Sequence, residues 1–357
     1  MLEYLLEKLK ILRNRKKLII GLGHPAHFHL FKHIITSNQF EIIVVISDKD
    51  VLADLLISNQ ITFIKIADYG KYKNLFSKAL KILFSSFKLI QIIRKEKPNL
   101  LIGCLTQLSW AGWVCNRKIL FFAEDDYAYT KMQGKITYPF VTKIITAEGV
   151  NVGPYASKQI TYPSYQKLAY LSPEVFQEKP KGELLKKYKL AKQYFLIRLV
   201  NLSAHHDKNI KGIGHNELDR ILKDLLPFGD IIISSEKPLD KKWSEFQPNL
   251  DVNDMHHLMN HAKGFISDSQ SMTVEAALLG TPNVKINDFK DKISILSELE
   301  YSFQLTKSFK PNTITSKDLK EFASEDLEIW RERRKVLLKS KVNPIPIYIS
   351  LINQHLA

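Results

Sequence analysis

Three histidines crowd the segment "GLGHPAHFHLF", which directly follows the strand-like run "KKLII". They are His24, His27 and His29. An imidazole titrates with a pKa of about 6.5, so it can take a proton from a hydroxyl group at neutral pH. Such rings also serve structural roles by bonding to loop carbonyls. The types and spacing of these residues therefore predict an acid–base site, with at least one of the three rings used for structure.

A second segment, "GFISDSQSMTVEAALLGTP", combines a strand, a polar turn and a helix. The pattern predicts a helix over residues 271–279 that Gly280 stops and Pro282 prevents from resuming. Free N–H groups and the positive dipole end make such a helix start a site for a diphosphate. Glu275, one turn further on, can accept hydrogen bonds from both hydroxyls of a ribose. The residues expected to contact the nucleotide at this helix start are Ser269, Gln270, Ser271, Met272, Thr273 and Glu275.

Other residues with chemical potential admit alternatives. "GLGHPA" matches the dinucleotide fingerprint GxGxxA, with Asp48 at the end of the next strand, but this motif alone is weak. His257 and His261 are spaced as a zinc pair on a helix, yet no third ligand stands near them, so we expect no metal. The run "EDD" closes a strand of the first half, and its Asp125 is a candidate for acceptor binding or for a second base.

The elements that must position these residues alternate between apolar strand runs and helical segments in both halves of the chain. Strands with continuous apolar runs and intervening helices predict parallel sheets covered on both faces. The fold class expected is therefore α/β, with two Rossmann-like doubly wound domains facing a cleft, residues 1–170 and 171–357. The Pro- and charge-rich stretch 162–187 is the expected linker. The C-terminal "NPIPIYISLINQHL" is expected to form a helix that packs back on the first domain.

Composition narrows the setting and the partners. The 357 residues include two cysteines and carry a formal net charge of +15. The absence of a disulfide framework and of a long apolar run predicts a cytoplasmic protein. No nucleic-acid-binding motif accompanies the basic charge. The basic amphipathic N-terminus and the stretch 71–97 instead predict peripheral binding to an anionic membrane on its inner face; the alternative is that the apolar side of 71–97 packs on a sheet.

The motifs resemble those of the GT-B superfamily. "DSQSMTVEAALLGTP" is similar to the "DSGGxQEE…LGxP" pattern of UDP-N-acetylglucosamine 2-epimerases, and to the donor segment of peptidoglycan-type UDP-N-acetylglucosaminyltransferases. Gln270 and Ser271 replace the two glycines of the epimerase pattern, and Val274 replaces its first glutamate. More closely, "GHPAHFHLFK", "MHHLM", "SDSQSM" and "LGTP" resemble a GT-B-like family with "NHPAHVHFFK", "MHHLL", "GDSQTM" and "LGTP" over nearly the whole length.

The resemblance implies roles for further residues. His27 occupies the place where inverting transferases of this type often carry their general base, with His24 as the second choice and His29 turned into helix packing. The loop after the first strand of the second domain is implied to contact phosphate, and two further segments to frame the uracil. The residues concerned are Arg198, Ser203 and His205 for phosphate, and Ser235, Glu236, Met255 and His256 for the base.

The activity implied is an inverting, metal-independent glycosyltransferase. It would move a sugar from a UDP-sugar to a cell-surface polysaccharide or lipid-linked acceptor. A UDP-N-acetylhexosamine 2-epimerase shares the fold and the donor site, and a non-enzymatic nucleotide-sugar or polyanion binder is the third alternative.

Overall fold

The structure is a computed structural model, and it describes residues 15–48, 51–68, 75–200, 211–236, 238–288 and 293–356. The chain divides into two compact units. The first comprises Met1–Tyr170 and Asn343–Ala357, and the second comprises Leu171–Val342. The second unit therefore ends at Val342, not at the end of the chain.

The first unit is built on a seven-stranded sheet in which each neighbouring pair is parallel. The spatial order is β3-β2-β1-β4-β5-β6-β7. The strands are β1 Lys17–Leu22, β2 Glu41–Asp48, β3 Phe63–Asp68, β4 Leu100–Gly103, β5 Ile119–Phe122, β6 Lys143–Ala147 and β7 Gln159–Tyr162.

Helices cover this sheet and connect its strands. They are α1 Pro25–Thr36, α2 Leu52–Ser58, α3 Leu75–Glu96, α4 Thr106–Val114, α5 Tyr127–Thr137 and α6 Leu168–Leu171. The C-terminal helix also belongs to this unit, where buried Tyr348 donates a hydrogen bond from its hydroxyl to that of Tyr162 at 2.7 Å. The ring of Tyr348 packs edge-on against Phe122. This helix, α14, spans Ile345–Leu356.

The second unit carries a five-stranded parallel sheet in the order β12-β11-β10-β8-β9. Its strands are β8 Tyr194–Leu199, β9 Asp230–Ser235, β10 Gly264–Ser267, β11 Asn283–Ile286 and β12 Lys307–Phe309. Its helices are α7 Lys181–Tyr188, α8 His215–Leu225, α9 Met255–His261, α10 Gln270–Leu279, α11 Ser294–Ser297, α12 Ser316–Ala323 and α13 Leu327–Ser340.

The expected α/β class with two doubly wound sheets is confirmed. Both sheets bury their central strands on both faces, which is why these strands appear in the sequence as continuous apolar runs. In each sheet the strand order reverses once, between β1 and β4 and between β8 and β10. Ligands of open parallel sheets bind outside the carboxyl ends of the strands at such reversals.

Two local features of these elements bear on the expected architecture. Helix α1 begins at Pro25, because His24 is its N-cap and proline suits the first helical turn. The stretch 162–187 is not structureless, since it contains α6 and most of α7. The division between the two units falls inside it, after Tyr170. Within the described residues, no helix combines the length and apolar character needed to cross a bilayer.

Candidate functional site

The start of α10 lies at the strand reversal of the second unit. Ser269 is the N-cap, and its hydroxyl oxygen accepts the N–H of Met272 at 3.3 Å. The N–H of Ser269 itself donates to the hydroxyl of Ser267 at 2.8 Å. The helix ends at Gly280, which has a φ of +74°, as the sequence predicted. Its observed first residue is Gln270, one position earlier than predicted.

The first turn of α10 has a ligand-accessible side and a packed side. Gln270, Ser271 and Met272 are half-buried. The N–H groups of the first two have no acceptor within the helix, because helix geometry leaves the first N–H groups unpaired. Thr273 is fully buried, and its hydroxyl donates to the carbonyl of Ser269 at 2.6 Å. Thr273 therefore braces the helix start instead of offering a surface donor.

Glu275 is a buried carboxylate on α10 with a histidine beside it. Its side chain is 6% exposed, and its Oε2 lies 3.3 Å from Nε2 of His256. His256 comes from the first turn of α9, where Met255 is the first helical residue. The sequence analysis expected Glu275 to bind the ribose and His256 to lie against the uracil. The structure places these two side chains in contact.

Arg198 lies near the carboxyl end of β8, the end of the sheet at which α10 begins. Its guanidinium donates to the hydroxyl of Ser234 at 2.6 Å and to the carboxylate of Glu236 at 2.5 Å. Its Nε is buried and has no hydrogen-bond partner among the described residues. Ser235 is half-buried at the end of β9. Glu236, which is expected to lie beside the uracil, therefore forms an ion pair with Arg198, the expected phosphate-binding residue.

Asp268 anchors the neighbouring loop. Its Oδ1 accepts the N–H of Val200 at 2.8 Å, and its carbonyl accepts the side-chain amide of Asn287 at 2.9 Å. These bonds tie the ends of β8, β10 and β11 together. Ser203 and His205, the remaining phosphate candidates, lie outside the described residues.

In the first unit, two histidine rings bind backbone amides after β1. Nδ1 of His24 accepts the N–H of Ala26 at 3.1 Å, and Nδ1 of His27 accepts the N–H of Gly23 at 3.1 Å. A nitrogen that accepts a hydrogen bond carries no proton, so the proton of each neutral ring is on Nε2. Nε2 of His27 is consequently a donor in the neutral ring, which argues against its expected role as general base. His29 packs its ring against Phe28 and Tyr170, with centroids 5.6 and 5.3 Å apart.

The three acidic residues that follow β5, Glu124 to Asp126, differ in their contacts and exposure. Glu124 forms an ion pair with Lys167, whose side chain is only 3% exposed. Asp126 accepts the N–H of Asn151 at 2.8 Å. Asp125, the expected catalytic carboxylate, is exposed. The carboxylate paired with a buried cation is therefore Glu124, which the sequence did not single out, because its partner Lys167 is distant in the chain.

The histidines spaced as a zinc pair and the residues of the GxGxxA segment make contacts with the backbone. His257 accepts the N–H of Lys179 through Nδ1 at 3.1 Å, and Nε2 of His261 lies 2.7 Å from the carbonyl of the same residue. Both histidines thus contact the backbone of Lys179. The described residues contain no cluster of three metal-ligating side chains. In the GxGxxA segment, the ring of His24 accepts the N–H of Ala26, an amide that a dinucleotide pyrophosphate would use.

Comparisons with known proteins relate the whole chain to solved structures. No protein-family model matches it, and no curated protein matches it. A UDP-GlcNAc 2-epimerase from Neisseria meningitidis bound to UDP-GlcNAc is 12% identical, with 94% of this chain and 100% of that chain covered and a TM-score of 0.64. A UDP-N-acetylglucosamine 2-epimerase from Rickettsia bellii is 17% identical, with 96% and 99% covered and a TM-score of 0.61. The spinosyn forosaminyltransferase SpnP is 13% identical, with 95% and 99% covered and a TM-score of 0.59.

The fold is therefore that of GT-B glycosyltransferases and UDP-GlcNAc 2-epimerases. At this level of identity the likeness concerns architecture. The particular reaction has to be argued from the side chains.

Proposed function

We propose that the protein is an enzyme that acts on a UDP-sugar, and that it transfers the sugar to a polysaccharide or lipid-linked acceptor with inversion. The observation that carries the proposal is the capped start of α10, with Arg198 and Glu275 at the same edge of the sheet. In the proposed complex, the diphosphate binds the N–H groups of Gln270 and Ser271, which have no acceptor within the helix. Arg198 adds positive charge beside this helix start through a guanidinium that Ser234 and Glu236 hold in place.

The nucleoside would be held by the adjoining residues. Glu275 accepts hydrogen bonds from the ribose hydroxyls, with His256 fixing its carboxylate. The uracil lies against the end of β9 and the start of α9, at Ser235, Glu236 and Met255. β9 pairs with β8, and α9 and α10 precede and follow β10 in the chain, so the sheet sets the spacing of these elements.

The first unit would supply the groups that move protons. In an inverting transfer the acceptor oxygen attacks the anomeric carbon, the bond from that carbon to the diphosphate breaks, and a base takes the acceptor proton. We assign the base to Glu124, because buried Lys167 fixes its carboxylate. His27 would donate from Nε2 to an oxygen on which negative charge develops. Asp125 remains the alternative base.

Epimerisation at C2 is the second candidate. A carboxylate held by a buried lysine, as in Glu124 and Lys167, also suits proton removal from carbon. Against this candidate, Val274 stands where the epimerase pattern has its first glutamate, and it is buried in α10. Transfer is therefore our first choice, and metal-independence remains a prediction.

Product analysis separates the candidates. The protein is incubated with UDP-N-acetylglucosamine alone and, separately, with a lipid-linked or glycan acceptor, and the sugars are followed by NMR. A transferase needs the acceptor for turnover, whereas an epimerase forms the C2 epimer without one. Binding of UDP without turnover of any donor would favour the non-enzymatic alternative, and failure to bind UDP would contradict the proposal.

A further inference from the structure

Helix α3 carries a stripe of large apolar side chains that the protein does not bury. Leu80, Leu83, Phe84 and Phe87 are 38%, 56%, 71% and 60% exposed. Their spacing of three, one and three residues places them on one face of the helix. We call these four residues the α3 stripe.

The opposite face of α3 is the one that packs on the sheet. Ser85, Ser86, Leu89 and Ile93 are buried, and the last two belong to the hydrophobic core of the unit. The two serine hydroxyls donate to carbonyls of the helix itself, at 2.7 Å for Ser85 and 2.8 Å for Ser86. Because α3 contacts the core through this buried face, the α3 stripe lies outside the core.

Along the chain, the charged residues that flank the α3 stripe have one sign up to Glu96. Between Asp68 and Glu96 the sequence has seven basic residues and no acidic one. Lys88, Arg94 and Lys95 are exposed on α3, and the carboxylate of Glu96 is engaged by Lys17 at 3.1 Å. On the helical wheel, Arg94 continues the line of the stripe into the last turn, with Lys95 and Lys88 beside it.

We propose that the α3 stripe and its flanking cations bind the surface of an anionic lipid membrane. A helix that lies in the membrane interface has phenylalanine and leucine on one side and lysine and arginine beside them. A protein partner fits less well, because lysine is depleted in protein–protein interfaces. Leu83, Phe84 and Phe87 would enter the headgroup region, while the cations would contact lipid phosphates. The proposal does not depend on the nucleotide site.

Sedimentation with vesicles tests the proposal on the full-length protein. Vesicles of phosphatidylcholine alone are compared with vesicles that also contain phosphatidylglycerol, at low and at high salt. We expect binding to the anionic vesicles at low salt and weaker binding at high salt, since salt screens the attraction. The double variant Phe84→Ser/Phe87→Ser should reduce the partition coefficient by about tenfold or more, because each phenyl ring loses its burial in the interface.

Matched variants control for charge and for general loss of apolar surface. Ile57→Ser removes an apolar side chain that is 64% exposed on α2 and should leave vesicle binding unchanged. Arg94→Gln/Lys95→Gln should weaken binding to anionic vesicles only. Thermal unfolding followed by circular dichroism verifies that each variant is folded.

Three results would overturn the proposal. They are equal recovery on neutral and anionic vesicles, unchanged binding by the folded Phe84→Ser/Phe87→Ser variant, or a concentration-dependent dimer that this variant abolishes. The last result would assign the α3 stripe to a protein interface.

Discussion

Replacing Glu275 should uncouple the second unit from the ribose of its nucleotide. The carboxylate is almost completely buried and has His256 at 3.3 Å as a neighbour. In the proposed complex it accepts two charge-assisted hydrogen bonds, and such bonds are stronger than neutral ones. We therefore expect Glu275→Ala to weaken UDP binding by about 2 to 4 kcal/mol, which is roughly 30- to 700-fold in Kd.

Calorimetric titration with UDP and with 2′-deoxy-UDP makes this expectation specific. The wild type should prefer UDP by about tenfold, since the deoxynucleotide lacks one of the two hydrogen bonds. Glu275→Gln should lose most of this preference, because a neutral amide accepts more weakly than a carboxylate. The two ligands and two proteins form a thermodynamic cycle that isolates the contact from indirect effects.

Another buried glutamate of the same unit provides the control. Glu217 on α8 is 2% exposed and accepts the N–H of Asn312 at 2.8 Å. Glu217→Gln should lower the free energy of unfolding and leave the affinity for UDP unchanged. If folded Glu275→Ala binds UDP as the wild type does, or if Glu275→Gln keeps the preference for the ribonucleotide, the assignment of Glu275 to the ribose is wrong.

Four further predictions rest on the described contacts. His27→Ala should lower turnover by about 10²-fold, because the ring's Nε2–H donor is lost. Glu124→Gln should lower it by about 10² to 10⁴-fold, because the general base is lost. Normal turnover of Glu124→Gln under single-turnover conditions would refute the assignment of Glu124 as the base. Gly103→Ala should destabilise the first unit by about 3 kcal/mol in urea unfolding, because the new Cβ would lie 2.3 Å from a backbone oxygen of β1, whereas Gly182→Ala has no neighbour within 4 Å and should not destabilise. Burial, with Lys179 and His256 nearby, lowers the pKa of His257 from 6.5 to about 4. The unfolded chain therefore binds the proton first as the pH falls, and about 2 kcal/mol of stability should be lost between pH 6.5 and 4, allowing for solvent screening of this half-buried ring. Unfolding of His257→Gln should lack this part of the pH dependence, and an unchanged pH profile would contradict it.

The sequence predicted the class of fold and the helix start of the second unit well. Both depend on local patterns, namely apolar strand runs, a polar turn, and the stop at Gly280. Pro25, in the first turn of α1, follows the usual preference of proline for the start of a helix. What the pattern missed at α1 was the capping role of His24, because histidine is not among the residues that usually cap helices.

The side-chain partners could not be predicted, because they depend on contacts between distant parts of the chain. Lys167 reaches Glu124 across 43 positions, and Lys179 reaches His257 across 78. The tautomer of His27 likewise depends on where the N–H of Gly23 points. For α3, periodicity showed an amphipathic helix, but only the packing of Ser85 and Leu89 revealed which apolar residues stay exposed.

Calorimetry with UDP, GDP, CMP, ADP and TDP decides whether a uridine nucleotide binds at the start of α10. The wild type should bind UDP in preference to the other four nucleotides. Arg198→Ala and Glu275→Ala should each weaken UDP binding, with unfolding still cooperative. Failure of the wild type to bind any of the five nucleotides, or undiminished UDP binding in both variants, would contradict the proposed nucleotide site.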